Sequence, residues 1–335
     1  MNEPVSVILV NYNTSNYTNS CIESLLDSDY KNLEIIVVDN NSDSSDIQQL
    51  EEFDKTEFYY LEENIGFAGA CNYGAQKSIG EFIFFLNNDT ELESDTISLL
   101  VEKVRNPEVG AVTPQVRFHH NQSVIDRDVG YFDTLAYGWH PRQQMGADEL
   151  KSSEEVIESP WISGCAFMTT KDVLKTVGYF DEDFFMYCED LELSIRIRKR
   201  GYRLQVVNDA IVYHKYSASS KDDVEIDRSS FQIKHQSKNR MKIIFKHYPH
   251  KHIVAYFPHL VLSNAYWCLV LASDDGISSA ATQVKELIKY SLLGVVDRGD
   301  HGSNANWIEM MTKNGFRDYL NIALNRSETY NENQF

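Results

Sequence analysis

Basic residues are in short supply. Lys and Arg number 31 against 50 Asp and Glu, a formal net charge of −19. A chain this acidic repels phosphate backbones, which excludes a general nucleic-acid-binding role. Cysteine is sparse as well. The five, at positions 21, 71, 165, 188 and 268, are odd in number and none are spaced like metal ligands. Neither a disulfide framework nor a zinc cluster is expected, and free thiols fit a reducing compartment. The start, Met1-Asn2-Glu3-Pro4, has no basic segment and no long apolar run, so no secretory signal is expected. Asn-x-Ser/Thr triplets, as at Asn13 and Asn88, are then incidental. Glycines are missing where cofactor loops need them. The first strand-like run is followed by Asn11-Tyr12-Asn13-Thr14, and Gly66, Gly69 and Gly74 have the wrong spacing for a dinucleotide loop. This excludes nicotinamide chemistry and P-loop hydrolysis.

What the chain does have is apolar content, 42% of 335 residues. That suffices for a sizeable core in one large or two unequal domains. Val5–Val10, Leu33–Val38 and Phe82–Leu86 are short and nearly all apolar. Such runs suit strands buried on both faces of a largely parallel sheet. Helical candidates at about 17–28, 46–53 and 68–79 lie between them. The rhythm predicts an α/β fold. Each run ends in polar residues: Asn11-Tyr12-Asn13, then Asp39-Asn40-Asn41-Ser42, then Asn87-Asn88-Asp89. Parallel strands place these groups on one carboxyl edge, where ligands bind in open α/β sheets.

Residues 117–160 lack periodicity and read as a long loop. A helix is expected over 188–200, acidic first and basic last, with strands near 203–207 and 210–214. Beyond 220 a helical region is expected. Arg228 to His252 holds seven Lys or Arg, four His and no Asp or Glu. His252 to Ser273 is richly apolar and of marginal spanning length. Together they suggest peripheral membrane contact through 225–273, the cations facing anionic headgroups. The bland alternative is a solvated helix face.

The chemistry-bearing set is small. Asp39 and Asp89 end strands, Glu189 and Asp190 start a helix, and His214 ends a strand-like segment. Two hard oxygen ligands and an imidazole suit Mg2+ or Mn2+ held against a diphosphate. A separate carboxylate can act as general base. Turn residues, helix caps and a satisfied polar histidine are the plainer alternatives for each residue taken singly.

The motifs that carry a resemblance run in order across residues 4–220. They are Val7–Asn13, Ile36–Ser42, Glu63-Asn64-Ile65-Gly66 through Asn72-Tyr73-Gly74, and Phe85–Thr90, followed by Trp161–Gly164, Gly178–Leu193 with Glu189-Asp190 inside it, and Val212-Tyr213-His214. The chain resembles glycosyltransferase family 2, the inverting group with the GT-A fold, and is most similar to its rhamnosyltransferase-like branch. The resemblance implies a catalytic domain over 1–220 and a helical region over 221–335 that contacts acceptor or membrane. It implies that Asn11, Asn13 and Asp39 bind the nucleoside side of the donor, with Asn64 and Asn72 near the diphosphate or sugar. Asn87-Asn88-Asp89 stands where the family has Asp-x-Asp. Asn87 and Asn88 would contact the donor, and Asp89 and His214 would ligate Mg2+ or Mn2+. The first acidic residue of that motif is absent here, which reduces the charge offered to a metal. Asp190 would be the base, Glu189 its tuner or an acceptor-orienting group, and Trp161 and Gly164 acceptor contacts.

The implied donor is dTDP-rhamnose, with UDP-sugars next. The implied acceptor is a glycan or polyprenyl-linked glycan in surface polysaccharide synthesis. The implied location is the cytoplasm, at the inner face of the cell membrane. Two other readings remain open: an inactive sugar-nucleotide or glycan-binding module, and a nucleotidyltransferase.

Overall fold

The computed structural model describes residues 3–147, 155–215 and 225–298. They group into two compact units. The first is drawn from Met1–Gly130 and His140–Glu225. The second is drawn from Tyr131–Trp139 and the chain from Ile226 onward.

The first unit is a mixed α/β layer structure. In chain order it contains β1 (Val5–Asn11), α1 (Ser15–Leu26), β2 (Leu33–Asp39), α2 (Ser44–Ile47), β3 (Thr56–Tyr60), α3 (Gly66–Lys77), β4 (Phe82–Leu86) and β5 (Thr90–Leu92). Then come α4 (Thr96–Val104), β6 (Val109–Phe118) and β7 (Asn121–Arg127). After β8 (Tyr131–Phe132) and β9 (Gly138–Trp139), which pair in the second unit, follow β10 (Val156–Glu158), β11 (Ala166–Thr170), α5 (Lys171–Val177), α6 (Glu189–Lys199) and β12 (Arg203–His214).

Strand order is β10-β12-β6-β11-β4-β1-β2-β3, with β5 on β12 and β7 on β6. The β4-β1-β2-β3 half is parallel throughout. β11 enters backwards between β4 and β6, and β6 and β12 are again parallel to each other. The carboxyl ends of β1, β2, β4, β6 and β12 therefore share an edge with the start of β11.

Side-chain alternation divides the core. Val5, Val7, Leu9, Phe82, Phe84 and Leu86 face one side with Cys21, Ile22 and Leu25 of α1 and Ile97, Leu100 and Val101 of α4. Ile8, Ile36, Val38, Ile83 and Phe85 face the other with Ala68, Cys71 and Ala75 of α3 and Leu193 and Ile197 of α6. Each buried aliphatic or aromatic side chain contributes roughly 1.5–3 kcal/mol. α3 lies close to the sheet because position 74 is glycine: a Cβ there would stand 2.6 Å from the Cγ2 of Ile8.

The sequence expectations need several corrections. The helix placed at 46–53 is the single turn Ser44–Ile47, and β3 follows it. β3 is a half-exposed edge strand, so it lacks the unbroken apolar run of the inner strands. The supposed loop 117–160 contains β7, β8, β9 and β10; its residues 148–154 lie outside the described residues. The strands near 203–207 and 210–214 are one strand, β12, with an irregularity between Val207 and Ile211.

The second unit holds the β8–β9 pair, α7 (Glu225–His247), α8 (His250–Asp274) and α9 (Ile277–Val296). Tyr137 binds it together: its hydroxyl meets Ser263 Oγ at 2.6 Å and accepts from Trp267 Nε1 at 2.8 Å, and the Arg240 guanidinium lies 3.5 Å from its ring centroid. Within the basic stretch Arg240, Lys242 and Lys246 are buried, Lys234 and Lys238 are half-buried and Lys251 is exposed. Lys242 is fully buried and pairs with Asp297 at 3.0 Å. Lys234 pairs with Asp275 at 2.6 Å, and Lys238 stands 4.8 Å from the Tyr290 ring centroid. Lys242 and Lys234 thus find carboxylates, and Lys238 an aromatic face, within the unit. Large apolar side chains are exposed here, Val254, Phe257, Val261, Leu262, Tyr266 and Leu269 along α8 and Ile288, Leu292 and Val296 along α9, with Lys285 and Lys289 exposed beside the latter. Among the described residues only α8 is long and apolar enough to cross a membrane.

Candidate active site

Asn11 and Asp39 end adjacent parallel strands in register. Asn11 Nδ2 donates to Asp39 Oδ2 at 2.7 Å and to Asp46 Oδ2 at 2.9 Å, and Asn11 Oδ1 accepts from Thr18 Oγ1 at 2.8 Å. Asn11 is therefore a buried strut that aims Asp39. The other Asp39 oxygen accepts the Ser42 N–H at 2.9 Å. Asn13, in a left-handed conformation (φ 56°), accepts the Asp43 N–H at 2.7 Å and braces the same turn. Asp46, which the sequence did not single out, also accepts the Ser15 N–H at the start of α1.

Asn64 lies one loop away. Its Oδ1 accepts from Asn40 Nδ2 at 3.0 Å and from the Gly66 N–H at 2.9 Å. Asn72 looks elsewhere. Its amide donates to Phe180 O and Glu182 Oε1, both at 2.9 Å, and accepts the Phe180 N–H at 3.0 Å. Asn72 is thereby engaged with the segment preceding α6, not with the edge of β1 and β2.

In the 87–89 turn, Asn88 anchors on the Thr14 and Thr18 hydroxyls, both at 2.7 Å. Asn87 is fixed through its backbone, its N–H donating to Cys165 O at 2.8 Å. Asp89 faces His214: Oδ1 and Nε2 are 3.3 Å apart. The other ring nitrogen, Nδ1, lies 2.7 Å from Asp126 Oδ2. Asp126 is fully buried and also accepts from Gln143 Nε2 at 3.1 Å. Burial disfavours the charged His214 ring, but Cys165, Asp126 and Asp89 outweigh it and raise its pKa well above the ordinary value.

This geometry fits a divalent cation completed by substrate. A carboxylate is acceptor-only, so Nδ1 must donate to Asp126; Nε2, which faces Asp89, would ligate a cation once that cation displaces its proton. Among the described residues no three His, Cys, Asp or Glu are arranged to hold an ion unaided. Mg2+ in particular takes one or two protein ligands plus phosphate oxygens and water.

Glu189 and Asp190 open α6. Asp190 Oδ2 accepts the Gly164 N–H at 2.8 Å and Oδ1 the Leu191 N–H at 2.7 Å. Glu189 Oε2 is buried and has no hydrogen-bond partner among the described residues. Burial, then the Asp190 charge, raises the Glu189 pKa to about 8. Burial raises that of Asp190 too, against the pull of the two N–H groups and of Arg127. The pair is thus differentiated, Asp190 ionising first and Glu189 keeping its proton. Gly164 serves this pair through its backbone. Trp161 is only 8% exposed and packs its ring 5.0 Å from that of His140, so it offers no open face for a sugar. Phe180 and Phe184 are likewise core.

Arg127 ties the two groups together: Nε lies 3.4 Å from Asp126 Oδ2, and NH1 donates to Ser163 Oγ at 3.0 Å, next to Gly164. Neither Asp126 nor Arg127 emerged from the sequence. The available signal was an Asp-Arg-Asp run directly after the apolar Val124-Ile125.

A family model described as glycosyl transferase family 2 matches residues 6–178. The poly-beta-1,6-N-acetyl-D-glucosamine synthase of Staphylococcus epidermidis is 29% identical over 211 residues, which is 61% of this chain and 48% of that protein. The protein of the same name from Staphylococcus aureus (strain MSSA476) is 28% identical over the same shares. The chain spans about half the length of these curated relatives. Among solved structures, GalNAc-T7 with UDP, GalNAc and Mn2+ aligns with a TM-score of 0.65 and 17% identity, over 95% of this chain and 57% of that one. The mannosyltransferase PcManGT from Pyrobaculum calidifontis, in complex with GDP-Man and Mn2+, gives 0.52 and 18%, over 89% and 87%. At these identities the structures speak for a shared fold.

Proposed function

Because this chain belongs to glycosyl transferase family 2 and is a glycosyltransferase of the GT-A fold, we propose that it transfers a sugar from a nucleoside-diphosphate donor to an acceptor hydroxyl in one inverting displacement. The observation that carries this is the split character of the Glu189–Asp190 pair. Asp190 is held by two backbone N–H groups, while Glu189 Oε2 has no hydrogen-bond partner among the described residues.

Asp190 takes the proton of the acceptor hydroxyl as that oxygen bonds to the anomeric carbon and the bond to the diphosphate breaks. No covalent enzyme intermediate forms, so Cys188 has no chemical part. Protonated Glu189 donates to the acceptor and orients it. Asp39, aimed by Asn11, receives the nucleoside, and Asn64 and Asn87 face the diphosphate side. Asp89 and His214 hold a divalent cation, Mg2+ or Mn2+, which when bound stabilises charge on the leaving diphosphate.

The donor is dTDP-rhamnose on the motif resemblance. The names of the poly-N-acetylglucosamine synthases favour a UDP-N-acetylhexosamine as the second reading. The acceptor is a glycan or polyprenyl-linked glycan of a surface polysaccharide. The exposed apolar face of α8 supports contact with the inner face of the membrane. Vesicle flotation that is equal for the wild type and for a variant with Phe257 and Leu262 changed to Gln would remove that contact.

The deciding experiment is binding of dTDP, UDP, GDP and CMP, each with and without Mn2+, to wild type and Asp89→Ala. Metal-dependent binding of one diphosphate, lost in the variant, supports the transfer reading and selects the donor. If no diphosphate binds, the reading fails.

A further inference from the structure

The segment before the Glu189–Asp190 pair is held in an uncommon backbone conformation. Phe185, Tyr187 and Cys188 have φ of 54°, 69° and 67°. L-residues rarely adopt this region, and such clusters persist only where surrounding contacts impose them. The contacts come from α3. Asn72 clamps Phe180 from both sides and holds Glu182. The Ala68 N–H donates to Phe185 O at 3.3 Å. Position 66 is in van der Waals range of the same residue. Gly66 has φ +79°, and a Cβ there would lie 2.5 Å from Phe185 O and 2.8 Å from its Cα. Glycine answers both demands, a positive φ and a close backbone approach.

The other side of that glycine faces the nucleotide edge. The Gly66 N–H donates to Asn64 Oδ1, and Gly66 O accepts from Asn40 Nδ2 at 3.3 Å. Asn40 follows Asp39 in the chain, and its Oδ1 accepts the Ile65 N–H at 3.0 Å. Asp39-Asn40, Asn64-Gly66, Phe185–Cys188 and Glu189-Asp190 therefore form one unbroken run of direct contacts.

We propose that Gly66 is a positioning residue: nucleoside diphosphate bound at Asp39 and Asn64 fixes the 64–66 loop, and Gly66 transmits that order through Phe185 to the Glu189–Asp190 pair. The inference rests on the transfer reading above. It assigns α3 a role in assembling the base, and it gives Asn72 a part in that assembly in place of donor contact.

The test uses the full chain. The nucleoside diphosphate that binds best with Mn2+ is added, and amide hydrogen exchange is followed over residues 184–191. In the wild type, exchange there should slow on nucleotide binding. In Gly66→Ala, nucleotide should still bind, the added protection should vanish, and kcat should fall by about 100-fold or more with little change in donor KM, as expected for a misplaced base. Should Gly66→Ala not fold, Asn72→Asp, which is isosteric but loses the donor to Phe180 O and Glu182, serves with the same readouts. A purely structural part for these residues would lower stability without abolishing the nucleotide-dependent protection. Nucleotide binding with no slowing in the wild type, or protection that survives in the variants, overturns the proposal and leaves the transfer reading standing. No nucleotide binding to the wild type overturns both.

Discussion

Asp126 on β7 and His214 on β12 flank β6 from opposite sides and meet at its end, Oδ2 to Nδ1, at 2.7 Å. The contact fixes which nitrogen His214 can offer beside Asp89. Asp126→Asn replaces a pure acceptor with an amide that can present either group. Mn2+ affinity in the presence of nucleoside diphosphate should fall by about 10–100-fold. Titration followed by Mn2+ paramagnetic resonance checks this. Unchanged affinity would mean that His214 needs no such partner.

Asp190 accepts two backbone N–H groups, those of Gly164 and Leu191. Asp190→Asn keeps the shape and removes the base. Turnover should drop by about 10²–10⁴-fold, while nucleotide affinity stays near wild type. Loss of both together would show that Asp190 supports the donor site and is not a dedicated base.

The pair should give a bell-shaped rate profile. Turnover rises with pH as Asp190, whose pKa burial raises, loses its proton. It falls again as Glu189 ionises near 8. Glu189→Gln keeps a donor that cannot ionise, so the alkaline fall should disappear while the acid limb remains. Stability follows the same sign. A carboxyl raised from 4.5 to about 8 on folding stabilises the fold fully below the lower value and loses that contribution as pH rises to the higher. The melting temperature of Glu189→Gln should therefore gain on that of wild type between pH 5 and pH 8. A constant difference across that range would exclude a buried proton on Glu189.

Asn11 supplies one amide to Asp39, Asp46 and the Ser42 hydroxyl. Asn11→Ala leaves these acceptors without their shared donor in a buried setting, a loss of roughly 1–3 kcal/mol. Thermal melts should show a midpoint several degrees lower, and nucleotide affinity should weaken as Asp39 loses its aim. A stable variant with normal affinity would make Asn11 a bystander.

The inner strands were legible because burial on both faces writes itself as an unbroken apolar run, as in Phe82–Leu86. The carboxyl edge followed from their parallel order, and α6 from its charge gradient. β7 left no such trace. Its first residues, Asn121 to Ser123, are exposed, and only Ile125 and Asp126 are fully buried, so neither alternation nor an apolar run marks it. Asp126 was invisible for that reason: its meaning comes from pairing with β6, a contact of tertiary origin. The cations of α7 are the opposite case. Their charge was plain in the sequence, but the carboxylates that pair with Lys234 and Lys242, Asp275 and Asp297, come after α7 in the chain.

The backward entry of β11 has one more consequence. Because it runs against β4 and β6, β11 starts at Ala166 on the rim where β6 ends at Phe118. The stretch between those two points carries Asp126, which holds His214, and Gly164, which holds Asp190, so both groups depend on how that stretch is seated. A chimera that is to keep the cation-side histidine and the base must therefore retain β7 and residues 163–164, and join inside the stretch between them.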